Sequence, residues 1–134
     1  INCVAGMSME KYKALEHPYP TLAEKIEKYG YDPKQLHHIV RMNEFMIRYI
    51  AGETYTECLV SKKADYLIDI KRGCHTLDEA RQISKEMLDD TIRRKNEYMQ
   101  THSLQIDKSV EELMNKVLIG ILKKSFILEL EVLQ

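Results

Sequence analysis

Cysteine is scarce in this chain, and its placement argues against two common ways of stabilising a small protein. The 134 residues contain three cysteines, Cys3, Cys58 and Cys74. An odd number of widely spaced cysteines, with no Cys-x-x-Cys pair, argues against a disulfide framework and against a zinc site. We therefore expect free thiols in a reducing compartment. No signal peptide is visible either, so the expected location is cytoplasmic.

Long apolar runs and an excess of charge of one sign are also missing. The longest apolar runs, such as residues 117–122 (VLIGIL), are far shorter than the roughly 20 residues that cross a bilayer, so we expect no membrane partner. The formal net charge is -1, so the protein has no global field that would attract nucleic acid or a membrane surface. Any site for an anion must then be a local cluster of basic residues.

The sequence does contain helical periodicity along most of its length, because hydrophobic residues recur every three to four positions. The predicted helices lie at residues 5–17, 21–30, 33–51, 63–73, 76–101 and 107–124. The stretch between the third and fourth predicted helices (ETYTECLVS) is ambiguous and is compatible with a short helical turn followed by an extended piece. The last nine residues (FILELEVLQ) have the alternation of a short strand or extended tail. We predict an all-α protein, a compact bundle of five or six helices in a single domain spanning residues 1–134.

Local signals mark the ends of several predicted helices. Asp32 followed by Pro33 is typical of an N-cap and the first helical position. Two pairs have the spacing of a capping box, Thr21 with Glu24 and Thr76 with Glu79, and Asp107 is placed to cap the last helix. Glycines that favour a helix stop are Gly30, Gly52 and Gly73.

The helix that begins at Pro33 has a polar face of unusual composition. At about 100° per residue, its apolar residues cluster on one side, with Asn43 among them. The basic residues lie away from that side and form what we call the basic stripe: Lys34, His37, His38, Arg41 and Arg48. Phe45 lies within the stripe and Tyr49 beside it.

A charged helix face is most often simply solvated, but two features of the basic stripe argue against that explanation. No carboxylate at i+4 spacing neutralises the row, although Glu44 is near its margin. Phe45 and Tyr49 among the charges indicate a surface that something covers. Lysine and arginine donate charge-assisted hydrogen bonds to phosphate oxygens. A nearby phosphate also favours the protonated form of histidine. The pattern does not by itself distinguish a nucleotide from RNA or from an acidic protein surface.

Other candidate sites are weak. His37 and His38 point about 100° apart on a helix and lack further ligands, so we expect no metal site. Cys74 precedes His75, but neighbours in sequence do not make a catalytic pair, so we expect no catalytic residue. Asp89 and Asp90 are predicted to be solvent-facing helix charges.

Three segments resemble a known family: residues 30–42 (GYDPKQLHHIVRM), residues 50–53 (IAGE) and residues 69–73 (DIKRG). They resemble the C-terminal helical region of predicted nucleotidyltransferases of the DNA polymerase β-like superfamily, which is common in bacteria and phages. The family pattern G-Y-D-x-K-x-x-x-H-x-x-R falls on Gly30, Tyr31, Asp32, Lys34, His38 and Arg41, and a basic-Gly step falls on Lys71, Arg72 and Gly73. The resemblance covers residues 8–123.

The resemblance implies a two-part enzyme of which this chain is the C-terminal part. In that superfamily an upstream α/β domain carries a Gly-Ser turn and an Asp-x-Asp pair, whose carboxylates hold Mg²⁺ on a nucleotide triphosphate. This chain contains neither motif, so it should be inactive alone, with no cofactor of its own. The resemblance implies that Lys34, His38 and Arg41 face the phosphates of a nucleotide or of RNA. Phe45 and Tyr49 would pack against the catalytic domain, and Lys71 with Arg72 is a possible secondary basic site.

Two alternatives stay open. The chain is also consistent with a stand-alone interaction module that binds an acidic protein or nucleic acid through the basic stripe. The third hypothesis is a structural bundle that forms a homodimer through the helix at residues 107–124.

Overall fold

The computed structural model describes residues 1–102 and 108–132, and within these ranges the regular structure is entirely helical. The chain divides into two units, Ile1–Thr101 and His102–Gln134. The first unit contains a 3₁₀ turn at Pro20–Leu22 and six helices: α1 (Asn2–Lys13), α2 (Ala23–Tyr29), α3 (Pro33–Ile50), α4 (Tyr55–Cys58), α5 (Ala64–Lys71) and α6 (Leu77–Thr101). The second unit contains α7 (Lys108–Val132). The predicted all-α fold is therefore confirmed.

The described residues form seven α-helices where five or six were predicted. The additional helix is α4, in the ambiguous segment for which a short helical turn was one interpretation. It is a single turn that begins with a complete capping box, in which the Thr54 hydroxyl accepts from the Glu57 amide and Glu57 accepts from the Thr54 amide. Two capping hydrogen bonds stabilise this single turn. Four residues are too few to show a repeat of apolar positions, so the hydrophobic periodicity did not indicate a helix here.

The C-terminal tail prediction was wrong for the described residues, because residues 126–132 continue α7. The alternation of apolar and acidic residues there is compatible with a strand. A strand, however, needs a neighbour for its amide and carbonyl groups, whereas a helix pairs them internally. Residues 133–134, and the predicted cap Asp107, lie outside the described residues.

The helix-start signals gave mixed results. Asp32 is the N-cap of α3, and its carboxylate accepts from the Lys34 amide at 3.0 Å. Thr76 and Glu79 form the predicted box, with the Thr76 amide 2.8 Å from Glu79 Oε2. The box predicted at Thr21 does not form: Thr21 lies inside the 3₁₀ turn, and Leu22 occupies the N-cap of α2. Proline favours the first position of a helical turn, so Pro20 begins the turn one residue too early for Thr21 to cap α2.

Helix α3 lies at the centre of the first unit and contacts α1, α4, α5 and α6. The hydrophobic core consists of Leu15, Tyr31, Leu36, Val40, Leu67, Ile70 and Ala80, with Tyr29, Leu77, Ile83 and Met87 packed against it. The hydroxyl of the fully buried Tyr31 donates to the His75 carbonyl at 3.0 Å. This hydrogen bond fixes the start of α3 against the segment that follows α5.

A polar contact joins α3 to α6 on the apolar side of α3. The buried Asn43 Nδ2 donates to Asp90 Oδ2 at 2.9 Å, to Thr91 Oγ1 at 3.2 Å and to the Met87 carbonyl at 3.2 Å. Asp90 also accepts from Arg94 Nε at 2.7 Å. The prediction that Asp90 is a simple solvent-facing charge was therefore wrong, because Asn43 and Arg94 give its carboxylate donors at a helix–helix contact.

Candidate anion-binding site

A cleft of about 460 Å³ opens where α2, the first turns of α3 and the end of α5 meet. Its basic lining residues are Lys25, Lys28, Lys34, His38 and Lys71, and Tyr29 forms part of its wall. We call this the cationic cleft. It brings together residues from three helices, and its first and last lysines, Lys25 and Lys71, are 46 positions apart in the sequence.

The start of α3 is held by hydrogen bonds in which both oxygens of the Asp32 carboxylate act as acceptors. Asp32 is fully buried, and its amide donates to the Leu15 carbonyl at 2.8 Å. Its two carboxylate oxygens accept from the Lys34 amide at 3.0 Å and from Gln35 Nε2 at 3.1 Å. Lys34 is therefore exposed at a fixed position in the first turn, where the positive end of the helix dipole adds to its charge.

The lysines of the cationic cleft are not neutralised by neighbours. Among the described residues, none of Lys25, Lys28, Lys34 and Lys71 forms an ion pair. The cleft is lined by four ammonium groups and two carboxylates, Glu24 and the already engaged Asp32. Like charges that line one cleft repel one another, and an anion bound between them would relieve that repulsion.

The Tyr29 ring in the wall of the cleft owes its position to Gly73. Gly73 has φ +77°, and a Cβ placed on it would lie 2.7 Å from Tyr29 Cδ1. Any larger residue would displace the ring. The Lys28 ammonium lies 4.8 Å from the centre of the same ring, within the range of a cation–π contact.

The two histidines of the stripe are separated by the fold. His38 lines the cationic cleft, whereas His37 is buried and lines a small cavity of about 170 Å³ with Arg41 and Lys71. Burial, together with the positive charges of Lys71, His38 and Arg41, lowers the pKa of His37 to about 4. Burial also lowers the pKa of His38, with Lys11 and Lys34 adding to the effect. Both environments therefore favour the neutral ring.

Arg48 does not belong to an open basic surface. It is buried, and its guanidinium donates to Glu53 Oε2 from Nη2 at 2.6 Å and from Nε at 2.8 Å, and to the Val60 and Glu57 carbonyls at 2.6 and 2.7 Å. Glu44 Oε1 lies 3.7 Å from Arg48 Nη1, and the two residues are four positions apart in α3. The expectation that no carboxylate neutralises this part of the stripe was therefore wrong. All three guanidinium nitrogens of Arg48 thus donate to groups within the protein, and the side chain holds the segment that follows α3.

Arg41 lies one turn beyond His38 and is exposed, and its Nη2 donates to the Leu59 carbonyl at 2.9 Å. It borders a second depression, of about 370 Å³, between α1, α3 and α4. We call this the apolar groove. The side chains that line it include Met7, Met42, Phe45, Tyr55 and Leu59, and His38 is common to the groove and to the cationic cleft.

Of the seven basic residues predicted as site residues, the cationic cleft thus contains Lys34, His38 and Lys71. Arg72 does not line the cleft, and its Nη1 lies 3.7 Å from Asp69 Oδ1. Sequence reasoning missed Lys25, Lys28 and Tyr29. The i,i+3 spacing of Lys25 and Lys28 was a usable signal, because it places both ammonium groups on one face of α2.

Among the described residues, no group of three or more His, Cys, Asp and Glu side chains is arranged to hold a metal ion. None of the described helices combines the length and the apolar character needed to cross a membrane. The chain matches no protein-family model, no curated protein and no solved structure.

Proposed function

We propose that this chain is the helical, nucleotide-contacting part of a nucleotidyltransferase, and that the cationic cleft holds the phosphates of a nucleotide triphosphate. One observation carries the proposal: four lysines from three helices, which form no ion pair within the part of the chain that the structure describes, surround a single cleft at the N-terminus of α3. The resemblance of residues 30–42 to nucleotidyltransferases points to the same place, since Lys34 and His38 both belong to the motif.

The chemistry of the cleft suits a triphosphate better than a singly charged anion. Lysine ammonium groups are mobile point charges that adapt to several phosphate oxygens. Phosphate oxygens beside His38 would also raise its pKa and so favour the protonated, hydrogen-bond-donating ring. In this proposal Mg²⁺ and the transfer reaction belong to an upstream catalytic domain, and this chain alone does not catalyse nucleotidyl transfer.

Binding of tripolyphosphate and of nucleotide triphosphates tests the proposal directly. By calorimetry at low salt, the unmodified chain should bind both, and the double variant Lys34→Ala, Lys71→Ala should lose at least about tenfold in affinity, which is 1.4 kcal/mol. A matched control is Lys13→Ala with Lys124→Ala, which removes two exposed lysines that lie outside the cleft. Equal affinities of the double variant and the control would contradict the proposal.

The salt dependence of binding separates a nucleotide from RNA as the natural ligand. A single-stranded RNA that covers many phosphates should lose affinity steeply with salt, with a slope of about -0.7 per phosphate contacted. A slope that indicates only two or three contacts, together with preference for a triphosphate over RNA, supports the nucleotide. A long, steep RNA footprint would favour the interaction module.

Helix α7 supports a second candidate function, homodimerisation. Its apolar residues Val110, Leu113, Met114, Val117, Leu118, Ile121 and Leu122 recur at helical spacing and are exposed. Exposed apolar faces of this kind are typical of interaction surfaces. Light scattering of the unmodified chain and of Leu118→Glu tests this candidate: a dimer that becomes monomeric supports it, and a monomer at all concentrations contradicts it.

A further inference from the structure

We propose that the apolar groove binds the base and sugar of the same nucleotide triphosphate whose phosphates lie in the cationic cleft. The inference rests on the proposed function. It adds a second subsite, on a different set of residues, and assigns to it an aromatic ligand group.

The two depressions adjoin on one side of α3, since His38 lines both of them. At 1.5 Å per residue, Lys34 lies about 6 Å before His38 along the helix axis, and Phe45 lies about 10 Å beyond it. A ligand that extends along this helix therefore meets a charged subsite first and an apolar subsite next.

The apolar groove presents aromatic surface in an accessible position. The rings of Phe45 and Tyr55 meet edge to face with centroids 5.7 Å apart, and Phe45 stacks on Tyr49 at the same distance. Tyr55 lines the groove and is 62% exposed, so its ring is accessible to a ligand. Stacking of a base on such a ring is favourable for every base, because each base has a π face.

The charges around the groove also fit a phosphorylated ligand. Among the described residues that line it, none carries a carboxylate, and Lys11 and Arg41 supply positive charge at its border. The Arg41 hydrogen bond to the Leu59 carbonyl holds the α4 wall in place before any ligand arrives. Met7 and Met42 provide flexible, polarisable contacts that adapt to different ring shapes.

The experiment compares inorganic tripolyphosphate with ATP, GTP, CTP and UTP on the same protein by calorimetry. Tripolyphosphate reports the cleft alone, so the ratio of affinities isolates the base and sugar. We expect at least one nucleotide to bind about five- to a hundredfold more tightly than tripolyphosphate, as one stacked base provides. Tyr55→Ala should reduce that ratio towards one without changing the affinity for tripolyphosphate, and Tyr19→Ala, an exposed tyrosine outside the groove, should leave both unchanged.

A second measurement needs no variant. In methyl NMR spectra, the Met7 and Met42 signals should shift with a nucleotide and not with tripolyphosphate, while Met99, outside the groove, should be unaffected. The groove assignment is overturned if tripolyphosphate binds and no nucleotide binds more tightly. It is also overturned if a nucleotide binds more tightly but neither Tyr55→Ala nor the methionine signals respond. Either result leaves the cleft proposal standing. Absence of binding by every phosphate compound overturns both.

Discussion

Arg48 Nη2 lies 2.6 Å from Glu53 Oε2, and this ion pair closes the turn that follows α3. The same guanidinium reaches the carbonyls of Glu57 and Val60, and Lys62 Nζ contacts the other Glu53 oxygen at 2.8 Å. The Arg48 and Lys62 hydrogen bonds lower the pKa of Glu53 to about 2. One buried arginine therefore organises residues 53–62, which include the α4 wall of the apolar groove.

Replacing Arg48 with methionine should lower the melting temperature by several degrees. The apolar stem would be kept, but Glu44 and Glu53 would remain without their arginine and two carbonyls would lose their donor. Differential scanning calorimetry measures the change. Arg81→Met is the matched control, because Arg81 makes a similar two-nitrogen contact to Glu16 at 2.7 and 2.8 Å on the exposed surface, where an ion pair contributes little. Equal shifts for the two variants would show that Arg48 has no special structural role.

His37 should make the protein sensitive to acid. Its pKa is about 4 in the folded protein, whereas an unfolded histidine has a pKa of about 6.5. The unfolded state therefore takes up a proton first, so the stability contribution is complete above pH 6.5 and is lost as the pH falls towards 4. His37→Met should flatten this part of the stability profile, measured by urea unfolding between pH 7 and 4.5.

The exposed His17 provides the control for that experiment, as His17→Gln should keep the profile of the unmodified protein. NMR titration of the ring proton of His37 gives an independent check. A midpoint near 6.5 instead of near 4 would contradict the burial of this side chain among Lys71, His38 and Arg41.

Asn43 should contribute to stability through its polar contact with α6. Asn43→Leu keeps the size of the side chain but removes the donor to Asp90 and Thr91, at a cost of about 1–3 kcal/mol in the free energy of unfolding. Denaturant unfolding measures this cost, with Asn96→Leu on the exposed side of α6 as control. If the two variants were equally stable, the hydrogen bonds of Asn43 would not stabilise the α3–α6 contact.

Gly73 and Gly52 form a matched pair, since both have positive φ, +77° and +97°. Alanine at either position costs about 1–2 kcal/mol for the left-handed backbone. At Gly52 no atom lies within 4 Å of the added Cβ, whereas at Gly73 the Cβ collides with the Tyr29 ring. Gly73→Ala should therefore be the more destabilising change, and it alone should weaken tripolyphosphate binding. Identical effects of the two variants would contradict the tight contact at Gly73.

Much of the fold was predictable because its signals are local. Asp32 and Thr76 cap helices through groups two or three residues away, and the apolar face of α3 follows from a repeat of three to four residues. The failures were also local in origin. Thr21 was displaced from its cap by a turn that Pro20 begins, and the alternation in residues 126–132 fits either a strand or a helix.

The candidate site was only partly predictable. Lys34 and His38 were found because one helix face displays both, and Lys71 because of the motif that contains it. Lys25 and Lys28 were missed because α2 shows no feature that indicates which helix its charged face meets. The contacts of Arg48 were not predictable because its partners, Glu53 and the carbonyls of Glu57 and Val60, approach it only after the chain has turned back.

The sequence by itself thus determined the helices, most of their caps and the side of α3 that faces the core, because these depend on interactions within a few residues. The tertiary structure decided which basic residues share a cleft and which form ion pairs with carboxylates. Those outcomes depend on the packing of α2 and α5 against α3 and on the return of residues 53–62 to Arg48. No periodicity in the sequence encodes such contacts between distant segments.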